Sequence, residues 1–140
     1  MDGRGNRASH GAQLNDVRPF VRVVVPAFNK AELTTSCFRS LLLTVWPRDQ
    51  LDLVLVDNGS SDETISSVSQ LSSDIHVVSS PTNRGFAGGC NLGITACSDH
   101  VGRPMQEFDY LALVNNDAEV HPAWLEELVA IAEAQDDVGV

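Results

Sequence analysis

"YLALVNNDAEVHPAWLEEL", Tyr110–Leu128, passes from a short apolar run through three polar residues into a helical pattern. Tyr110–Val114 has the length and side chains of a covered strand, and Trp124, Leu128 and Ala132 recur at helical spacing behind Pro122. The stretch therefore predicts strand, loop and helix, with Asn115, Asn116 and Asp117 at the junction. Packing does not call for three polar side chains there, which leaves turn chemistry or the lip of a site.

The same unit recurs upstream. "VRVVV" (Val21–Val25), "LDLVLV" (Leu51–Val56) and "IHVV" (Ile75–Val78) are short and nearly all apolar, as suits strands covered on both faces. Between them fall helical stripes: Leu33, Cys37, Leu41 and Val45; Ile65, Val68 and Leu71; Phe86, Cys90, Ile94 and Cys97. Asn29 with Glu32 and Ser60 with Glu63 stand at capping-box spacing, and Pro122 suits a first helical turn. Strand and helix in alternation predict an α/β fold with a mostly parallel sheet and right-handed crossovers.

In such sheets ligands bind beyond the carboxyl ends of the strands. Those ends read "PAFNK", "DNGSSDE", "SSPTNRGFAGG" and "NNDAEV", all polar or glycine-rich. Strand one is followed by no G-x-G-x-x-G, and G-x-x-x-x-G-K-[ST] is absent, so dinucleotide and P-loop sites lack their glycine chemistry. A phosphoacceptor signalling domain would want an acidic pair where "PAFN" stands. Asp57 and Asp117 close strands two and four; each suits a loop cap, an acceptor for a ligand's imide or ribose hydroxyls, or a ligand for Mg²⁺ or Mn²⁺.

At 140 residues and 43% hydrophobic content, one domain with a core is expected. The net charge of −10 is unevenly spread: from Leu51 onward only Arg84 and Arg103 face fifteen carboxylates. That balance argues against a nucleic-acid partner and requires an anionic ligand to rely on backbone amides, those few arginines or a divalent cation. No apolar stretch approaches the roughly 18 residues of a membrane span, and "MDGRGNRASHGAQLNDVR" lacks a signal peptide's apolar centre. The expected organisation is a disordered leader over residues 1–18, a domain over 19–140 whose longest loop is Ser98–Asp109, and a cytoplasmic location. Cys37, Cys90 and Cys97 read as buried thiols.

"VRVVVPAFNKAELTTSCFRSLL", "LVLVDNGSSDET", "PTNRGFAGGCNLGI" and "YLALVNNDAEVHPAWLEELV" together resemble the successive signatures of family 2 glycosyltransferases, in the same order, from about Val21 to the last residue. "NRGFAGGCN" and the Asn-Asn-Asp version are most similar to bacterial rhamnosyltransferase-like members, which act on cell-envelope polysaccharides. The resemblance implies a Rossmann-like GT-A fold that binds a nucleotide-diphosphate sugar, of UDP or dTDP type, and transfers the glycosyl group to an acceptor hydroxyl.

Carried over by position, Pro26, Ala27, Phe28 and Asn29 would line the nucleoside pocket, and Asp57, with Asn58 beside it, would bond the base or ribose. Gly85 and Gly88 would allow close backbone approach, and Arg84 would reach a phosphate. Asn115, Asn116 and Asp117 occupy the place of the family's Asp-x-Asp motif, so Asp117 would hold a Mn²⁺ or Mg²⁺ ion bridging the diphosphate. Asn115 departs from that motif, since a neutral amide binds a metal less well than a carboxylate. Members of the family continue into an acceptor-binding half with an acidic general base, and no residue here matches that base. The expectation is thus the nucleotide-binding portion of the enzyme, ending after the fourth helix at "DDVGV", inactive alone, self-associating through uncovered apolar surface, and peripheral to the inner membrane face where it meets a membrane. A non-catalytic nucleotide-sugar-binding module would keep the same pocket without turnover.

Overall fold

A computed structural model describes residues 17–96 and 107–135. Most of the expected leader, Cys97, most of the Ser98–Asp109 loop and the "DDVGV" end lie outside the described residues. The expected alternation of strand and helix is present: β1 (Val21–Ala27), α1 (Ala31–Leu42), β2 (Leu51–Asp57), α2 (Thr64–Ser69), β3 (Ile75–Ser79), α3 (Gly85–Thr95), β4 (Tyr110–Leu113) and α4 (Trp124–Ala134). The strands form one parallel sheet of order β3-β2-β1-β4. Ala27 is level with Asp57 and Asp57 with Ser79, so the strand ends that carry polar sequence share one rim.

β1 and β2 are buried along their whole length, which is why their sequences are apolar runs and do not alternate. Alternate residues still serve different layers. Val21, Val23, Val25 and Ala27, with Leu51, Leu53 and Leu55, join the main core with Cys37, Phe38 and Leu41 of α1, Val68 of α2 and Leu125 and Val129 of α4. Val24, Val54 and Val56 face the other way, towards Leu92 and Ile94 of α3. A Cβ on Gly93 would come within 2.7 Å of Val56 and closer still to Val24, so glycine is what lets α3 lie against the sheet.

The polar exception in β1 organises this second layer. Arg22 and Asp52 are paired at 2.9 Å with both side chains wholly buried. Arg22 Nη1 also donates to the carbonyls of Gly93, Ile94 and Ala96, satisfying the open C-terminus of α3 with a positive charge. The guanidinium carbon lies 4.2 Å from the Phe108 ring centroid, and Phe108 packs edge-on against Phe20. Nη2 has no hydrogen-bond partner among the described residues, and the face of that ring offsets part of its lost hydration.

The helix starts and faces differ from the sequence expectation in instructive ways. Neither Asn29 nor Ser60 forms a capping box. Asn29 and Lys30 both take left-handed backbone, and α1 begins behind Lys30. Asp62 supplies the caps for two helices, Oδ2 accepting from Ala31 N–H at 3.1 Å and Oδ1 from Thr64 N–H at 3.0 Å. Pro122 precedes α4 and lends its carbonyl to Val45 N–H. In α1 the buried face carries Thr34 and Phe38, whereas Leu33 and Val45 are exposed; in α4 it carries Leu125 and Val129, one position on from Trp124 and Leu128. Apolar content at helical spacing does not fix rotation about the axis when both candidate faces hold large side chains. Arg18, at the end of the expected leader, lies over Trp46 and pairs with Glu126.

Two outcomes follow from these contacts. Asp52→Ala leaves the Arg22 charge buried and uncompensated and is expected to cost about 3–5 kcal/mol in urea unfolding, while Arg22→Met with Asp52→Leu recovers most of the loss. The Thr64 hydroxyl and amide and the Ala31 amide hold the Asp62 carboxyl below its ordinary range. Its contribution to stability is thus present above that ordinary range and lost as the pH falls through the lowered folded value. The acid limb of a Tm-against-pH curve should flatten in Asp62→Asn; an unchanged limb would show that the double cap carries no linkage.

Candidate functional site

The chain leaves β1 through Pro26 and Ala27, both buried, to Phe28, which is 47% exposed, and then to the left-handed pair Asn29 and Lys30. Two consecutive non-glycine residues in that conformation cost of order 1–3 kcal/mol each and persist only where neighbours hold them. The β2 loop does so here. Asn29 N–H donates to Ser60 Oγ at 2.7 Å, and Asn29 Oδ1 accepts from Ser61 N–H at 2.9 Å. Together with the Asp62 cap, these bonds make the ends of β1 and β2 one rigid lip.

Asp57 sits in that lip at 3% exposure. Its Oδ2 accepts from Ser60 N–H at 3.1 Å, closing the turn, whereas Oδ1 is buried and has no hydrogen-bond partner among the described residues. An unpaired buried carboxylate oxygen is costly, and a donor from outside the chain would satisfy it. Asn58 points to the α3 side and its amide is already used: Nδ2 donates to Gly85 carbonyl at 3.1 Å and Oδ1 accepts from Arg84 N–H at 3.3 Å. Gly89 makes room for it, since a Cβ there would stand 2.7 Å from Nδ2. Asn58 therefore ties the β2 end to the start of α3.

Arg84 is exposed, its Nε donating to Ser80 Oγ at 3.0 Å while the guanidinium end makes no hydrogen bond among the described residues. Gly85 has φ 76°, and nothing stands within 4 Å of where its Cβ would be, so this turn presents open backbone at the rim. Gly88 makes room for Arg84 itself, whose Cβ lies 2.7 Å from the position a Gly88 Cβ would take. Phe86 is 55% exposed on the first turn of the same helix.

On the far side of β1, the β4 loop carries Asn115, Asn116 and Asp117. Asn116 Nδ2 donates to Thr34 Oγ1 at 3.1 Å, and the Asn115 carbonyl accepts from Ala118 N–H at 3.0 Å and from the Cys37 thiol at 3.6 Å. Asp117 and Glu119 are exposed, and no hydrogen bond engages either carboxylate among the described residues. Burial, then the charges of Asp117 and Glu119, push the Cys37 thiol up to about 12, so it stays a neutral donor. Because β2 and β4 flank β1, the Asp57 and Asp117 loops stand about two strand spacings apart, ~10 Å, one on each side of "PAFN".

The structure thus brings Asp57, Asn29, Phe28 and Asp117 to one rim, with Arg84 and Gly85 along it. Sequence reasoning missed the residues that hold them: Ser60, Ser61 and Asp62 on one side, Thr34, Cys37 and Ser40 on the other. The signal was present as hydroxyls repeating along the inner face of α1 and as the Ser-Ser-Asp after Asp57. Among the described residues no three of His, Cys, Asp and Glu converge into a closed metal cage. The donors on hand, the free carboxylates of Asp117 and Glu119 beside neutral amides, fit a divalent ion that takes most of its ligands from phosphate oxygens and water.

The fold is shared with known proteins. A mannosyltransferase from Pyrobaculum calidifontis, solved with GDP-Man and Mn²⁺, superposes with a TM-score of 0.74 at 26% identity, over 89% of this chain and 35% of that one. TarS of S. aureus, solved with UDP-GlcNAc, shows the same GT-A fold at a TM-score of 0.69 and 19% identity, over 86% of this chain and 36% of its own. In sequence, the glycosyltransferase AglE of Haloferax volcanii is 28% identical over 120 residues, 84% of this chain and 36% of that protein. The chain spans about a third of the length of these relatives. Residues 22–140 match the family described as "Glycosyl transferase family 2", a span that runs from the buried arginine of β1 through all four polar strand ends, and the chain belongs to that family.

Proposed function

We propose that the rim of the sheet binds a nucleoside-diphosphate sugar, and that the protein to which these residues belong transfers its glycosyl group to an acceptor hydroxyl. The observation that carries this reading is the division of labour between two aspartates on either side of β1. Among the described residues, Asp57 keeps one buried oxygen without a hydrogen-bond partner, and no hydrogen bond engages the exposed carboxylate of Asp117.

In this reading Pro26, Ala27, Phe28 and Asn29 line the nucleoside pocket, the exposed Phe28 ring offers a stacking face, and Asp57 Oδ1 accepts from an imide or a ribose hydroxyl. Asn58 acts indirectly, by holding Gly85 and Arg84 to the lip. Arg84 and the open backbone at Gly85 face the phosphates, and Gly88 acts by making room for Arg84. Asp117 holds the divalent ion, with the Asn115 and Asn116 amides beside it. When bound, Mn²⁺ or Mg²⁺ neutralises the diphosphate as leaving group. That help is needed here, because Asp57, Asp62, Asp117 and Glu119 share the rim and repel a free diphosphate.

The nucleoside and the sugar belong to the same proposal. Uridine or thymidine diphosphate is favoured by the resemblance of "NRGFAGGCN" to rhamnosyltransferase-like sequences, with guanosine diphosphate, carried by the Pyrobaculum relative, as the competing donor. Transfer to a cell-envelope polysaccharide, a cytoplasmic location and residues 19–140 as the working unit rest on the same resemblance. The acceptor site and its general base are assigned to the rest of a longer protein. No helix among the described residues is long and apolar enough to cross a membrane.

Asp117→Ala is expected to abolish the Mn²⁺-dependent part of nucleotide binding in isothermal titration without lowering Tm, since the side chain is exposed and makes no hydrogen bond among the described residues. Unchanged affinity would remove it from the metal site. Asp57→Asn is expected to weaken UDP or dTDP by about 1–3 kcal/mol with or without Mn²⁺, as a donor replaces the acceptor; a loss confined to Mn²⁺ would make Asp57 a metal ligand.

A further inference from the structure

The inner face of α1 carries an unusual row for a helix packed against a sheet. Thr34, Cys37, Ser40 and, past the helix end, Thr44 follow one another at spacings of three, three and four, which keeps them on one side. The first three meet the segment between β4 and α4, and Thr44 meets the first residue of α4. Thr34 Oγ1 accepts from Asn116 Nδ2 at 3.1 Å, and Cys37 Sγ donates to Asn115 carbonyl at 3.6 Å. Ser40 Oγ accepts from Val120 N–H at 3.1 Å, and Thr44 Oγ1 from Trp124 Nε1 at 2.9 Å. Val45 N–H adds a bond to Pro122 carbonyl at 2.9 Å.

The row is complete without help from the loop. Thr34 donates its own proton to Lys30 carbonyl at 2.9 Å and Ser40 donates to Cys37 carbonyl at 2.7 Å, so both oxygens are oriented as acceptors before the loop arrives. Thr34 and Cys37 are fully buried. Of the residues from Asn115 to Val120, those on either side of Asp117 and Glu119 are fastened, while these two carboxylates alternate outward. A loop of mixed polar sequence would otherwise sample many conformations, and ordering it after ligand arrival would subtract from affinity.

We infer that Thr34, Cys37 and Ser40 are positioning residues that fix the Asn115–Val120 loop so that Asp117 is held in place for the cation and its phosphate. This deepens the function proposed above and rests on Asp117 being the metal carboxylate. The row touches neither ligand nor metal; it acts through Asn115, Asn116 and Val120. Its neutrality matters, because a charged group beneath Asp117 would compete with the ion for the carboxylate.

The test uses the full chain with UDP and GDP as probes, titrated with and without Mn²⁺. Thr34→Val keeps the shape and removes the acceptor. It is expected to lower Mn²⁺-dependent affinity about fivefold, the worth of one neutral hydrogen bond, and to leave metal-free affinity unchanged. Thr34→Ser should restore it. In an Asp117→Ala background Thr34→Val should have no further effect, because there is no carboxylate left to place. Ser40→Ala carries the same prediction should Thr34→Val fold poorly. Hydrogen exchange over Asn115–Val120, read without ligand, should speed up in both variants. An equal loss with and without Mn²⁺, or a loss that adds to that of Asp117→Ala, would overturn the inference and leave the row as packing alone. If Asp117→Ala itself has no effect while Thr34→Val does, the metal assignment fails and the inference with it.

Discussion

β1 is hydrogen-bonded along both edges and covered on both faces, so none of its seven residues reaches water. A charged side chain in such a strand must find its partners within the protein, and Arg22 finds most of them by reaching Asp52 on β2 and three carbonyls at the end of α3. That requirement couples three elements at one point. The register of β1 on β2 sets Arg22 opposite Asp52, α3 must end where the guanidinium can take its carbonyls, and Gly93 lets the helix approach closely enough for that. Once α3 is fixed at its C-terminus, its N-terminus is fixed too, which brings Gly85 and Arg84 to the rim.

The rim itself is built on a contrast between tied and untied polar groups. Asn29, Ser60, Ser61, Asp62 and Asn58 are spent on one another and on backbone, in bonds between loops that follow different strands. Left over are one oxygen of Asp57, the end of Arg84, and the carboxylates of Asp117 and Glu119. In a protein with net charge −10, leaving further carboxylates free costs electrostatic energy, which in the proposed function a cation-bridged diphosphate would recover.

The layers of this fold were legible because period and composition agree: β-branched runs of the right length, separated by helical stretches, admit few arrangements. All four strands lie within a residue or two of where the runs place them. The polar strand ends were legible as a set for the same reason. Rotation of the helices was not. Trp124 and Leu128 look as apolar as Leu125 and Val129, and only the position of β4 decides which pair turns inward. Caps were misread because Asn29 and Ser60 have the right spacing within their own segments, yet the bonds they make run between segments, and no local window contains both partners. Arg22 was passed over in "VRVVV" since its counter-ion lies thirty residues on.

The strand order carries a consequence for synthesis. β1, β2 and β3 are neighbours in sequence and in space, and with α3 to lock Arg22 they can assemble while the chain is still emerging from the ribosome. β4 pairs with β1 across nearly ninety residues of intervening chain, a closure that comes late in any folding route that obeys chain entropy. It brings with it the Asn115–Val120 loop and the α1 contacts that hold it. The body built on β1, β2 and β3 therefore forms before the edge that carries Asp117. The same ordering run backwards makes that edge the first cooperative unit to open under stress, so its amide exchange is expected to precede loss of the remaining secondary structure.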